Sequence, residues 1–153
     1  MMQVIDEVFA MRSDPLQLQV NDKVLAKLEQ IHPATLSEYN EGEGPCSWVL
    51  VIPTTTELMN DFVAGKISEQ ELFDRTEPGM KYEAIYLCSA TTLPEFRGKG
   101  ITKKLCMDAI GKIQKQYPIK NLFVWTFTPE GDALAENISK KTGLPLLKRI
   151  NKV

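Results

Sequence analysis

Leu93-Pro94-Glu95-Phe96-Arg97-Gly98-Lys99-Gly100-Ile101-Thr102-Lys103-Lys104-Leu105 is the stretch on which the reading of this chain turns. Upstream of it, Tyr82 to Leu93 is an apolar, β-prone run; downstream, Ile101, Leu105, Ala109, Ile110 and Ile113 recur at helical spacing. A strand therefore feeds a helix through a glycine turn. Pro94 has no N–H to give to a ladder, and Gly98 and Gly100 permit dihedrals and close approaches that a Cβ would forbid. The first N–H groups of a helix lack internal acceptors and face the positive end of the macrodipole, so an anion is favoured there. Arg97, Lys99, Lys103 and Lys104 crowd this start, where each cation costs about 0.3 to 1 kcal/mol unless something negative offsets it. A phosphate group is the natural occupant; the alternative is a glycine turn whose lysines are simply solvated.

Two familiar phosphate loops do not fit. A P-loop needs Gly-x-x-x-x-Gly-Lys-Ser/Thr, but counted from Gly98 the first glycine's place holds Leu93, and counted from Gly100 the lysine's place holds Ile101. The dinucleotide fingerprint wants Gly or Ala where this chain has Lys103, and no acidic residue closes a following strand near Asn121.

Phe96-Arg97-Gly98-Lys99-Gly100-Ile101-Thr102, preceded by a strand ending in Leu93-Pro94-Glu95, resembles the acetyl-CoA signature of the GCN5-related N-acetyltransferase (GNAT) superfamily. That signature is Arg or Gln, two residues, Gly, one residue, then Gly or Ala. Arg97 and Gly100 match it, and Thr102 replaces the final small residue. The similarity runs from about Tyr82 to Gly143; the first half of the chain resembles the family only loosely. The resemblance implies an α/β fold with a mixed, mostly antiparallel central sheet, helices on both faces and splayed central strands. It also implies transfer of an acetyl group from acetyl-CoA, as cosubstrate and without a metal, to a small-molecule or peptide amine by direct attack in a ternary complex. The alternative is a non-catalytic acyl-CoA-binding or regulatory module. A third reading is a structural domain without a ligand.

The residues that the resemblance singles out follow from its pattern. Thr91, Thr92 and Leu93 would pair with the pantetheine amides as an added strand. Arg97 belongs to the signature, and the N–H groups of Gly98, Lys99, Gly100, Ile101, Thr102 and Lys103 would meet the pyrophosphate. Asp132 stands where the family has an asparagine at the coenzyme. The N–H near Leu93 would face the thioester carbonyl. Members often carry a carboxylate base where this chain has Ala84; Glu83 is adjacent, on the other side of the strand unless a bulge re-aims it. Glu57, Asp61 or a water relay are substitutes. The usual tyrosine acid aligns with Ser139, and Tyr86 is the alternative.

The remaining sequence sets limits and fills in elements. A length of 153 residues suits one domain over the whole chain. Its 25 % charged residues and net charge of −2 give no footprint for nucleic acid. No apolar run approaches a membrane span, and the amino terminus carries Asp6 and Glu7 rather than a basic leader, so no membrane partner and a cytoplasmic location are expected. Small domains of this kind often pair, so a homodimer is compatible, although nothing marks its interface. Cys46, Cys88 and Cys106 are widely spaced and odd in number, which favours buried thiols, and the single histidine, His32, reads as a helix-end residue before Pro33.

Val24, Leu25, Leu28 and Ile31 mark a helix capped by Asn21 or Asp22. Pro33 to Pro45 reads as a polar loop, where Glu38, Glu41 and Glu43 either draw a cationic amine or are merely solvated. Ser47 to Thr54 is a strand buried on both faces. Thr54 with Glu57 and Ser68 with Glu71 have capping-box spacing, predicting helices over about Thr55 to Ala64 and Glu69 to Arg75. This helical insertion, about 54–80, replaces a tight hairpin usual in the resembled family; it either shapes the acceptor pocket or is packing alone. After the strand Tyr82 to Leu93 come a helix from Gly100 to Gln116, a strand from Asn121 to Thr128, a helix from Pro129 to a stop at Gly143, and a strand from Leu146 to Ile150.

Overall fold

The computed structural model describes residues 22–40, 45–92, 100–125 and 129–149. Ten elements follow in order: α1 (Asp22–Ile31), β1 (Leu36–Asn40), β2 (Pro45–Thr54), α2 (Thr56–Val63), α3 (Glu69–Arg75), β3 (Ala84–Thr92), α4 (Ile101–Gln114), β4 (Asn121–Val124), α5 (Pro129–Thr142) and β5 (Leu146–Lys148). The strands form one open sheet in the order β1-β2-β3-β4-β5. Its first two ladders are antiparallel and its last two parallel, so the sheet is evenly mixed rather than mostly antiparallel. The parallel pairs need crossovers, and α4 and α5 supply them.

In the apolar run of β2, Val49, Leu50, Val51 and Ile52 are all at or below 2 % exposure, because helices lie on both sides of it, while Trp48 is half-buried. Side chains alternate along a strand, so Ile52 and its partner Tyr86 face one side while Val51, Val49 and Ser47 face the other. On the first side α2 brings Phe62 to Tyr86 and Phe123, with ring centroids 4.9 and 5.8 Å away. On the second, the Ser47 hydroxyl lies 3.4 Å from that of Thr102 in α4. There α4 buries Cys106, Ala109, Ile110 and Ile113 and also packs against α5.

Three local expectations change. Leu36 to Asn40 is not loop but an edge strand antiparallel to β2, with the exposed Glu38 opposite Trp48; Glu41 and Glu43 lie outside the described residues. The cap of α2 is Thr55, whose hydroxyl accepts from the Leu58 N–H at 3.2 Å. Thr54 is instead buried at the end of β2, bonded to the Thr76 hydroxyl at 2.7 Å. In α1, Val24, Leu28 and Ile31 are buried while Leu25 is exposed. The Ser68–Glu71 capping box does form at α3. His32 ends α1 as expected, its Nδ1 accepting the Ala34 N–H at 3.0 Å. Burial lowers its pKa despite an opposing hydrogen bond with Gln116.

Candidate functional site

The site is built around the first turn of α4 and the far end of β3. Gly100 precedes the helix with φ 75° and ψ 10°, the left-handed region, which an L-residue with a side chain enters at a cost of about 1–2 kcal/mol. A Cβ built there would meet nothing within 4 Å, so space lies open beside the backbone. No side chain caps α4 and no acidic residue occupies its first turn; an N-terminus is instead left to Lys103 and Lys104. Such a start suits an anion.

Beside it, among the described residues, β3 outlasts its neighbour. The β3–β4 ladder runs from Ala84↔Asn121 to Leu87↔Val124, whereas β3 continues to Thr92, opposite Ser47 of β2. At the same place β3 carries a bulge: Val51 pairs with Leu87 and Leu50 with Ser89, leaving Cys88 as the extra residue. The bulge reverses parity, so Ala90, paired with Val49, faces α4, whereas Tyr86 and Cys88 face α2 and α3.

The expected site residues fall into three groups. Gly100, Ile101, Thr102 and Lys103 lie together at the start of α4, next to Thr91 and Thr92 at the end of β3 through the Ser47–Thr102 contact. The Lys103 ammonium reaches the Asn137 amide oxygen at 3.5 Å, tying α4 to α5. Leu93, Arg97, Gly98 and Lys99 lie outside the described residues.

A second group is held elsewhere. Glu83 precedes β3, accepts from the Thr56 hydroxyl at 3.1 Å and pairs with Lys120 at 3.6 Å. A strand rise of about 3.3 Å per residue puts it roughly 30 Å from Thr92. The Ser139 hydroxyl donates to the Leu144 carbonyl at 2.6 Å, at the stop of α5 where Gly143 has φ 76°. Asp132 lies 3.5 Å from Lys148, which also bonds Glu136 at 2.6 Å. Glu136, then Asp132, raise the pKa of that ammonium. Of the substitute bases, Glu57 is exposed and Asp61 half-buried on α2.

Tyr86 is the third case. It is fully buried, stacked on Phe123 at 5.0 Å, and its hydroxyl donates to the carboxylate of Glu69 at 2.5 Å. The Cys88 thiol lies 3.6 Å from the same carboxylate oxygen. Burial first, then the charge on Glu69, holds the phenol well above its ordinary pKa. Over the neighbouring rings, the Arg149 guanidinium sits 4.6 Å from Phe62 and 4.4 Å from Trp125, while donating to the Ile67 carbonyl at 2.9 Å. Sequence reasoning missed Glu69 because an acidic residue opening a helix is ordinary; its burial, at 2 % exposure, is a tertiary fact. Arg149 and Asn137 carried no local signal at all.

No family model, curated protein or solved structure matches this chain. Among the described residues no group of three or more His, Cys, Asp or Glu side chains is placed to hold a metal ion, and no helix is long and apolar enough to cross a membrane. A groove between β1 and α4, lined in part by His32, Leu36, Glu38, Leu105, Asp108 and Lys112, holds Glu38 of the acidic stretch but none of the residues expected at the coenzyme or in proton transfer.

Proposed function

We propose that this chain is an acetyl-CoA-dependent N-acetyltransferase with a GNAT-like fold, acting on a small-molecule or peptide amine. The observation that carries the reading is the conjunction at one end of the sheet: β3 runs on past its last described rung with β4, beside an α4 that starts on a left-handed glycine with no acidic first turn. In this reading the end of β3 offers backbone groups to the pantetheine amides, and the α4 start offers N–H groups and lysines to the phosphates. The open space beside Gly100 accommodates a group in close contact with the backbone.

Acyl transfer further requires a neutral amine, donors for the tetrahedral oxyanion and a proton for the leaving thiolate. The engagement of Glu83 and Ser139 in hydrogen bonds elsewhere argues against their carrying the proton transfers. The same engagement favours the second reading, a non-catalytic acyl-CoA-binding module. Calorimetric titration with acetyl-CoA, on the native chain and on Gly100→Glu, tests the site: binding to the native chain that is lost in the variant supports it. Thiol release across an amine panel then separates enzyme from binding module. Failure of the native chain to bind acetyl-CoA or CoA would leave the glycine turn structural and the reading wrong.

A further inference from the structure

We propose that the free edge of β1 is a docking site for an extended peptide segment, which adds antiparallel to the five-stranded sheet and presents an apolar, β-branched side chain to Leu36 and a lysine or arginine to Glu38. This role is separate from the acetyltransferase reading and uses none of its residues. β1 opens the strand order, so β2 flanks one side of it and no strand among the described residues flanks the other. One bond fixes which backbone groups face outward. The Thr35 carbonyl accepts the Val51 N–H at 2.8 Å, and in an antiparallel ladder such bonded pairs recur at every second residue, here Ser37↔Val49 and Tyr39↔Ser47. The N–H and C=O of Leu36 and Glu38 therefore point away from β2.

Leu36 makes this edge receptive. Edges are commonly blunted by charge or by brevity, yet here the most exposed large apolar side chain among the described residues, Leu36 at 42 %, sits on a residue whose backbone groups face outward. Strand addition to a sheet uses main-chain bonds for affinity and pockets for alternate side chains for specificity. Leu36 pairs with Leu50 and Glu38 with Trp48, so their side chains share the sheet face away from α4, whereas Ser37 faces α4. On the α4 side, a groove of about 400 Å³ lies between the edge and Leu105, Asp108 and Lys112. Three successive residues of an added strand are thus read: the outer two meet Glu38 and Leu36 across the pair, and the middle one enters the groove.

Charge decides the occupant. A side chain directly opposite Glu38 stabilises the pairing when it is cationic and destabilises it when it is acidic. A second copy of β1 answers this poorly: antiparallel pairing of the strand with itself, in the registers that cover both residues, sets Glu38 against Leu36 or against another Glu38. In the groove, Asp108 stands one helical turn from Lys112 and offsets its charge, so a basic segment is not turned away there.

The test uses the full chain and the set of peptides Ac-Thr-Lys-Xaa-Val-Thr-NH2, with Xaa each standard residue in turn, titrated by NMR. The reporters are the amides of Leu36 and Glu38 and the ring of His32, which lines the groove and is the only histidine. We expect the best of the set to give saturable shifts at all three with a Kd below about 1 mM, and its Lys→Glu counterpart to bind about fivefold more weakly. Glu38→Lys should invert that preference. Glu38→Ala keeps the outward N–H and should bind within about fivefold of native, whereas Glu38→Pro, tolerated at an edge whose N–H faces solvent, removes that donor and should abolish binding. Absence of saturable shifts with every peptide up to about 5 mM, shifts confined to other residues, or a charge preference unmoved by Glu38→Lys overturns the docking site. Shifts at Leu36 and Glu38 that follow protein concentration without peptide overturn it in favour of a second copy.

Discussion

Two glycines of α4 permit a test of the backbone argument on which the site depends. Gly100 holds φ 75° just before the helix, whereas Gly111 lies within it, and an added Cβ would meet nothing within 4 Å at either position. Sterics are thereby removed from the comparison, leaving only backbone conformation. Gly100→Ala must either hold an L-residue in the left-handed region or rebuild the turn, costing about 1–2 kcal/mol. Gly111→Ala removes unfolded-state freedom at an ordinary helical position and stabilises by roughly 0.5–1 kcal/mol. At about 2–4 °C per kcal/mol for a domain of this size, the two variants should melt about 3 to 12 °C apart, below and above the native chain respectively. Calorimetric or circular-dichroism melting reads the gap. Shifts of the same sign would refute the reasoning, since the two substitutions are chemically identical and differ only in φ. Gly100→Asn, which tolerates the left-handed region better, should fall between Gly100→Ala and native.

His32 is the chain's only histidine, so its NMR titration is unambiguous. Burial depresses its folded-state pKa below the ordinary 6.5, so the stability it contributes is present above about pH 6.5 and is lost as pH falls through the folded value. A midpoint at or above 6.5 would contradict the packing described. Cys106, wholly buried, has its thiol pushed up to about 12. Iodoacetamide at pH 8 should therefore leave its peptide unmodified until denaturant is added, and labelling of the native protein at this position would show α4 to be packed otherwise. Ser68→Ala removes the hydroxyl that accepts from the Glu71 N–H while leaving the residue-68 N–H to the Glu71 carboxylate and should cost about 0.5–2 kcal/mol, read as a lower denaturant midpoint with an unchanged slope.

What could be read from the sequence was what neighbours decide. The Ser68–Glu71 spacing located α3, the residues after Pro129 and before Gly143 bounded α5, and the apolar run from Trp48 to Ile52 announced a doubly covered strand. The edge strand β1 escaped because its polar Leu-Ser-Glu-Tyr-Asn owes its conformation to pairing with β2 rather than to burial. At the candidate site, the start of α4 was legible for the same local reason, a glycine before a cationic helix start. The fates of Glu83, Ser139 and Asp132 were not, because their partners are Thr56 and Lys120, the Leu144 carbonyl, and Lys148. Glu69 was hidden most completely. Its first-turn position reads as an exposed acid, and only the docking of α3 under β3 buries it.

Phe62 gives the insertion a second significance. One ring on α2 meets Tyr86 of β3, Phe123 of β4 and Trp125 beyond it, and carries the Arg149 guanidinium that follows β5. The ring spans the β3–β4 seam, so separating those strands must strip the ring from both sides at once. Helix α2 and the seam should accordingly open as one cooperative unit, with the amides of Tyr86 and Phe123 exchanging hydrogen for deuterium in step with those of α2 rather than with the β1–β2 edge. The joint between the antiparallel and parallel halves of the sheet is then held by an aromatic residue on a segment that belongs to neither of them.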